Sequence, residues 1–227
     1  GSILSGYSLN NSKIRVIENH TLPEGWIGKN YACEILAENA GGDYLLFTDA
    51  DTTHSPDSLR KAMMSAINNE ADLLSVLPKQ ITDTLSEKII VPFLYFVLLV
   101  CLPFFMIKYN RFPRFSAAIG QYMLFKRSAY EKIGGHASVR ESVIEDVHLA
   151  KKIKKNKMKL VLCDGADIVS CRMYSGIKDI FLGFKKNISS GLGNSLILIV
   201  IIEIIFALLF LLPFFELHHY SRKLSFV

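Results

Sequence analysis

The 227-residue chain reads as an α/β layer fold, and three observations carry that reading. Short apolar runs of strand length alternate with stretches of helix length, glycine and proline punctuate the joins between them, and an acidic cluster stands where one of the strands ends. Half of the residues are apolar. That is enough to bury one domain's core and leave hydrophobic segments over.

Taken in order, Lys13 to Glu18 predicts a short strand, and Lys29 to Asn39 a helix leading to a buried strand that starts at Tyr44. Ser55 is expected to cap a helix opened by Pro56, with Leu59, Met63, Ala66 and Ile67 on its apolar face. Ala71 to Leu77 returns as a strand. Gln121 to Phe125 predicts another, followed by a short helix, Ser128 to Ile133, stopped by Gly134-Gly135. Glu145 opens a helix running to about Asn156, and Lys159 to Cys163 is the last clear strand.

Two hydrophobic runs stand apart from this alternation. Residues 196–215 have the length of a membrane-spanning helix, since ~20 residues at ~1.5 Å each cover ~30 Å, and their one charge is Glu203. Summed over the run, the apolar side chains outweigh the cost of that charge, and Glu203 is expected to be protonated or paired within a bundle. The second run, residues 89–107, lies between the two acidic clusters described below. A single crossing there would place the clusters in opposite compartments. Pro92 and Pro103 favour kinks or breaks, and Lys88, Lys108, Arg111 and Arg114 make both flanks basic. A segment that dips into or lies along the cytoplasmic leaflet fits all of this, and an ordinary buried core helix is the plainer alternative.

The acidic clusters are Phe47-Thr48-Asp49-Ala50-Asp51 and Ile144-Glu145-Asp146. If the extended conformation continues through Ala50, Asp49 and Asp51 share a side of the backbone, and two hard oxygen donors can converge on Mg²⁺ or Mn²⁺. A solvated turn would use the same residues. An EF-hand loop from Asp49 is excluded, because His54 stands where the loop needs Gly and Arg60 where it needs the closing Glu. Formal charge is +5, with much of the excess in Lys151 to Lys159. No aromatic residues are interleaved there, so a nucleic-acid partner is not expected; anionic lipid is the better match, and a plain solvated helix face is the bland one. Cys33, Cys101, Cys163 and Cys171 form no CxxC pair and follow no secretory signal, so reduced thiols in a cytoplasmic domain are expected.

Five segments in order, Gly25-Trp26-Ile27-Gly28-Lys29-Asn30, FTDADT, GQYMLFKRSAYEKIGGH, VIEDVHLAKKIKK and CRMYSGIKDIFLGFKKN, resemble glycosyltransferase family 2 over about Ile14 to Asn194. The likeness is strongest to bacterial membrane-bound hopene-associated and carotenoid-associated glycosyltransferases. The resemblance implies a GT-A fold, a nucleotide-sugar donor (a UDP-sugar) and a divalent cation. It makes Asp49-Ala50-Asp51 the DxD motif, with Asp49 toward the nucleotide and Asp51 on the metal-bound diphosphate. Asp146 becomes the general base, with Glu145 the alternative, and Gly120 and Gln121 open the acceptor pocket. Arg172 stands where many members close over the donor with Gln-x-x-Arg-Trp; here the residues are Cys171-Arg172-Met173-Tyr174, and Lys185, Lys186 and Asn187 follow.

That chemistry needs those residue types. Expelling a nucleoside diphosphate builds negative charge on phosphate, which a cation neutralises without proton transfer, and Lys29 is expected to add a second positive contact. On the opposite face an acceptor hydroxyl attacks only if a carboxylate takes its proton, and one base with in-line attack implies inversion. The expected organisation is a partial GT-A domain over 1–195, N-terminally incomplete because no strand, helix and strand for the nucleoside precede Lys13, then a spanning helix 196–215 and a tail 216–227. Localisation at the cell membrane, with the catalytic part on the cytoplasmic face and a lipid or polyprenoid acceptor, follows from the position of the apolar insertion. Two other classes compete. A non-catalytic membrane subunit explains the hydrophobic runs but leaves the acids unmotivated, and a metal-dependent phosphoryl-transfer enzyme needs more ligands than Asp49 and Asp51 supply.

Overall fold

In the computed structural model, residues 13–18, 21–102, 104–109 and 111–183 are described, together with Val200, Ile204 and Leu208. The chain divides into two units, 1–176 and 177–227. Within the second, residues 177–183 are helical, and Val200, Ile204 and Leu208 are helical and exposed. The rest of the apolar run 196–215, including Glu203, lies outside the described residues, as do Lys185, Lys186 and Asn187. Among the described residues no helix is long and apolar enough to cross a membrane.

The first unit is built on a mixed sheet. Strands β1 (Tyr44–Thr48), β3 (Leu73–Leu77), β5 (Tyr122–Lys126) and β6 (Leu160–Asp164) lie in the order β1-β5-β3-β6. β5 runs antiparallel to both neighbours, and β3 pairs in parallel with β6. The sequence Tyr122-Met123-Leu124-Phe125 is apolar throughout because both of its faces are covered, with Met123 and Phe125 in one core and Tyr122 and Leu124 in the other. A smaller sheet, β2 (Thr52–His54), β7 (Val169–Cys171) and β4 (Lys79–Gln80), has β7 at its centre. These strands of two or three residues carry no periodic signal, so sequence reasoning passed over all of them.

Helices cover the main sheet. α1 (Gly28–Asn39) and α6 (Glu145–Lys155) belong to one side, where Ala37, Leu149, Ala150 and Ile153 join the first core. α2 (Ser58–Asn68) contributes Ala62 and Ala66 to the second. Three expectations are corrected here. α2 starts at Ser58, not at Pro56, because Ser55 hydroxyl is turned to the Asp57 carboxylate (2.8 Å) and Asp57 becomes the cap position. Its buried face is Ser58, Ala62 and Ala66, while Leu59 and Ile67 are exposed: small residues let the helix approach the sheet closely. Residues 14–18 form no strand, since no neighbouring strand offers them a ladder and they lie largely exposed. The short helix α5 (Arg127–Lys132) ends as expected at Gly134 and Gly135, both at positive φ.

The apolar insertion is helical, as α3 (Leu85–Cys101, with Pro92 inside) and α4 (Phe104–Tyr109), and Leu102, after α3, is not helical. Its polarity is inverted relative to a surface helix. Glu87 and Val91 are buried, whereas Leu85, Ile89, Phe93 and Phe96, which lie on the opposite side of the helical wheel, are exposed. α4 repeats the pattern, burying Ile107 and exposing Phe105 and Tyr109. Among the described side chains the segment buries a carboxylate and exposes apolar residues.

Buried Glu87 is tolerated because it is saturated with donors. Thr84-Leu85-Ser86-Glu87 is a capping box, in which the Glu87 N–H donates to Thr84 Oγ1 (3.3 Å) and the Thr84 N–H donates to Glu87 Oε2 (3.5 Å); the Thr84 hydroxyl also donates to Glu87 Oε1 (2.8 Å). The Asp83 N–H (2.8 Å), the Gly176 N–H (2.8 Å) and Arg172 Nη2 (3.2 Å) complete the shell. Foremost the Asp83 N–H, then Thr84, Arg172 and Gly176, outweigh burial and hold the carboxyl down to about 2.

Candidate active site

The two acidic clusters meet across one lysine. Lys29, in the first turn of α1, places Nζ 2.7 Å from Asp49 Oδ1 and 2.9 Å from Glu145 Oε1. Asp49 follows β1 directly, and Glu145 is the first residue of α6, so a strand end and two helix starts deliver the three groups. Burial by itself would lower the Lys29 pKa. The charge of Glu145 and the hydrogen bonds to both carboxylates outweigh it, and the ammonium is held above the ordinary lysine range.

Gly120 closes the arrangement. Its N–H donates to Asp146 Oδ2 (3.0 Å), and the Val147 N–H donates to Asp146 Oδ1 (2.7 Å). A Cβ at Gly120 would stand 3.3 Å from Lys29 Nζ, 3.4 Å from Asp146 Oδ2 and 3.5 Å from Glu145 Oε1. The missing side chain lets Lys29, Asp146 and Glu145 close in on the backbone at this point. Asp146 is pushed up to about 6, first by burial and then by the like charge of Glu145, against the pull of its two N–H donors and Lys29. A carboxyl raised toward neutrality has the proton affinity that a general base requires.

The Asp49-Ala50-Asp51 segment is a turn, not a continuing strand. Thr52 closes it, with its N–H (3.3 Å) and its hydroxyl (2.7 Å) both donating to the Asp49 carbonyl. The expectation that the two acids alternate along an extended chain is thereby corrected: the hydroxyl of Thr52 stabilises a tight turn that the strand cannot continue through. Asp49 is committed to Lys29. Asp51 is exposed and makes no ion pair or hydrogen bond among the described residues. It sits next to Thr52, which pairs in register with Cys171 of β7, and the charge of Asp51 helps raise the already buried Cys171 thiol. The same thiol accepts from Gln121 Nε2 (2.8 Å), and Gln80 on the other side of β7 reaches Gln121 (3.4 Å). Gln121, Cys171 and Gln80 thus join the acidic turn to the strand that follows Gly120.

The sequence profile described as Glycosyl transferase family 2 matches residues 1–134. The chain belongs to glycosyltransferase family 2. A curated relative, 4,4'-diaponeurosporenoate glycosyltransferase from Staphylococcus haemolyticus (strain JCSC1435), is 25% identical over 173 residues, covering 75% of this chain and 46% of the relative. Among solved structures, the mannosyltransferase PcManGT from Pyrobaculum calidifontis, in complex with GDP-Man and Mn²⁺, superposes with a TM-score of 0.58 at 17% identity, over 83% of this chain and 48% of that one. The chain spans about half the length of these relatives. The fold is α/β and GT-A-like.

Within this family 2 chain the predicted residues fall into two groups. Lys29, Asp49, Gly120, Glu145 and Asp146 are brought together, with Asp51 and Gln121 linked to them through Cys171. Arg172 is engaged elsewhere: Nη1 pairs with Asp83 (2.9 Å) and Nη2 with Glu87 (3.2 Å), tying the end of β7 to the start of α3. Among the described residues no three His, Cys, Asp or Glu side chains form a metal cluster. A cation held by one or two carboxylates plus a ligand's phosphates does not require one, and Asp51, exposed and without a partner among the described residues, next to a cluster in which one ammonium meets Asp49, Glu145 and Asp146, is a suitable donor.

Sequence reasoning missed Asn30 and Glu87. Fully buried Asn30 donates from Nδ2 to the carbonyls of Val139 (3.0 Å), Arg140 (3.1 Å) and Ser142 (2.9 Å), fixing the loop before α6 against the start of α1. Nothing in the local sequence announces that. Glu87 did have a signal, the capping-box spacing from Thr84. His136, beyond the glycine pair, is buried against Phe47 (4.8 Å between centroids) and bonded through Nδ1 to the Tyr130 hydroxyl (2.8 Å). Burial, with Lys29 adding to it, lowers its pKa to about 4, so it serves packing as a neutral ring.

Proposed function

We propose that this chain is the catalytic portion of an inverting, metal-dependent glycosyltransferase that moves a sugar from a UDP-sugar to a lipid-like acceptor at a membrane. The observation that carries it is the convergence of Lys29, Asp49, Glu145 and Asp146 around the bare Gly120. Asp51, with Asp49 behind it, would hold Mg²⁺ or Mn²⁺, which supplies charge neutralisation for the departing diphosphate. Lys29 adds a fixed positive charge on that side of the space. Asp146 takes the proton of an acceptor hydroxyl as it attacks, and Gly120 with Gln121 forms the wall where that acceptor enters. Arg172, now paired with Asp83 and Glu87, becomes a donor contact only by leaving them.

The acceptor class is supported by two facts. The curated relative's name gives its acceptor as 4,4'-diaponeurosporenoate, a carboxylate by its ending. The exposed apolar side of α3 and α4, flanked by Lys88, Lys108, Arg111 and Arg114, suits the cytoplasmic surface of an anionic bilayer, which would bring a lipid's reactive end to the cleft. Hydroxyl and carboxylate acceptors make opposite demands on Asp146, since a carboxylate is already a nucleophile at neutral pH and needs no base. The test is sugar transfer into lipid by the protein in membranes supplied with Mn²⁺, labelled UDP-sugars and a lipid extract. Transfer lost in Asp51→Ala and, for hydroxyl acceptors, in Asp146→Asn is expected; transfer surviving both changes overturns the reading.

A further inference from the structure

A second polar depression lies outside the cleft, between the loop that precedes α6 and the outer side of α6. Its volume is about 600 Å³, and Arg140, Ser142, His148, Lys151, Lys152 and Lys155 line it. On a helix, positions 148, 151, 152 and 155 fall on one side, so this is a continuous basic stripe facing a concave wall. The single acid at the rim, Glu141, is paired with Arg140 (3.5 Å) and is itself mostly exposed. Lys151, Lys152 and Lys155 have no carboxylate partner among the described residues. Like charges at i,i+4, as in Lys151 with Lys155, repel, and the helix dipole compensates only the cations of the last turn. Lys151 and Arg140 lie outside that compensation. Burial, and then the charges of Lys151, Lys152 and Lys155, lower the pKa of His148, a sign of the positive potential at this spot.

The wall is also preformed. Asn30 binds three carbonyls of the loop, the Arg140 carbonyl accepts a further hydrogen bond from the Ile27 N–H (2.9 Å), and the Ser142 hydroxyl holds His148 Nδ1 at 2.7 Å. We propose that this depression is a binding site for a phosphoryl group, distinct from the donor cleft, in which Lys151, Lys152, Lys155 and Arg140 surround the phosphate and Ser142 with His148 forms its polar floor. A phosphomonoester, with two charges and several acceptor oxygens, matches a cluster of ammonium and guanidinium donors better than a monoanion does. The inference is independent of the transfer reaction and of its metal.

The chain's one tryptophan, Trp26, provides the readout, because Gly25 next to it lies against the Arg140 and Glu141 side chains. Inorganic phosphate, titrated at constant ionic strength against chloride, should change Trp26 fluorescence saturably. The Lys151→Gln/Lys152→Gln/Lys155→Gln variant should weaken that response about tenfold or more, the loss expected for even one charge-assisted hydrogen bond, whereas Lys157→Gln/Lys159→Gln should not. A second arm sediments the protein with vesicles carrying phosphatidic acid or, at equal net charge, phosphatidylglycerol. Lysine-dependent preference for phosphatidic acid identifies the ligand as a lipid phosphomonoester, and a fluorescence response without such preference identifies a soluble one. No saturable response in the unaltered protein, or the same affinity in the triple variant, overturns the proposal.

Discussion

Replacing Asp146 with Asn should make the protein more stable and, toward hydroxyl acceptors, inactive. The magnitude follows from the raised pKa. A carboxyl moved from 3.8 when unfolded to about 6 when folded disfavours the folded ionised form by on the order of 3 kcal/mol. The sign is that of a raised acid: the stabilising contribution of the protonated form is complete below the unfolded value and is lost as pH rises through about 6. Asn carries no charge to bury, yet offers one acceptor oxygen where the carboxylate served both the Gly120 and Val147 N–H groups, a loss of about 1 kcal/mol. The net gain near pH 8 is ~2 kcal/mol, equivalent to ~4–8 °C in Tm for a chain of this size. Below about pH 4 the gain should vanish and reverse. Thermal unfolding followed by circular dichroism across that pH range, in one detergent, measures it. An Asp146→Asn Tm equal to or below that of the parent at pH 8, or an unchanged pH dependence, would refute the argument that burial sets this carboxyl. Loss of transfer to hydroxyl acceptors should reach ~10²–10⁴-fold. Glu145→Gln removes the second cause of the shift, so the acidic limb of the pH–rate profile should move to lower pH; a limb that stays in place would assign it to another group.

The remaining predictions concern space and surface. Gly120→Ala puts a methyl 3.3–3.5 Å from Lys29, Asp146 and Glu145 and should cut kcat/KM about tenfold or more with Tm nearly unchanged; full activity would mean the acceptor does not pass there. Gly165→Ala would bring a Cβ to 1.9 Å from Val76 Cγ1 and should destabilise by ~1–3 kcal/mol in chemical denaturation, a loss that Val76→Ala in the same chain relieves. Additive effects of those two changes would contradict the overpacking account. Phe93→Ser with Phe96→Ser alters exposed side chains, so stability should change by less than ~0.5 kcal/mol per site while sedimentation with anionic vesicles falls. Vesicle binding unaffected by the pair would remove α3 from the membrane surface.

Much of the scaffold was legible because its signals are local. The period of α6, the buried runs of β3 and β5, and the glycine pair after α5 all follow from neighbours in sequence, whereas β1, expected buried, is an edge strand with only Leu45 buried. The strand placed at Lys13 to Glu18 failed because a ladder depends on a partner, and the short strands β2, β4 and β7 escaped because two or three residues hold no period. At the site, the acids at 49, 51, 145 and 146 could be read as chemistry. How they divide could not: the Thr52 hydroxyl turns the chain after Asp49, which sends Asp49 to Lys29 and leaves Asp51 exposed beside Cys171.

The sequence by itself determined the residue types, their order and the hydrophobic patterning, and these specify the α/β-type layers, the family and the candidate acids. Only the tertiary structure decided which groups share a space, which carboxyl is raised, and that α3 turns its apolar side outward around a buried Glu87. The physical reason is that charge, burial and proximity are properties of surroundings. The surroundings of Asp146 are Gly120, Val147, Glu145 and Lys29, and of these only Glu145 and Val147 are its neighbours along the chain.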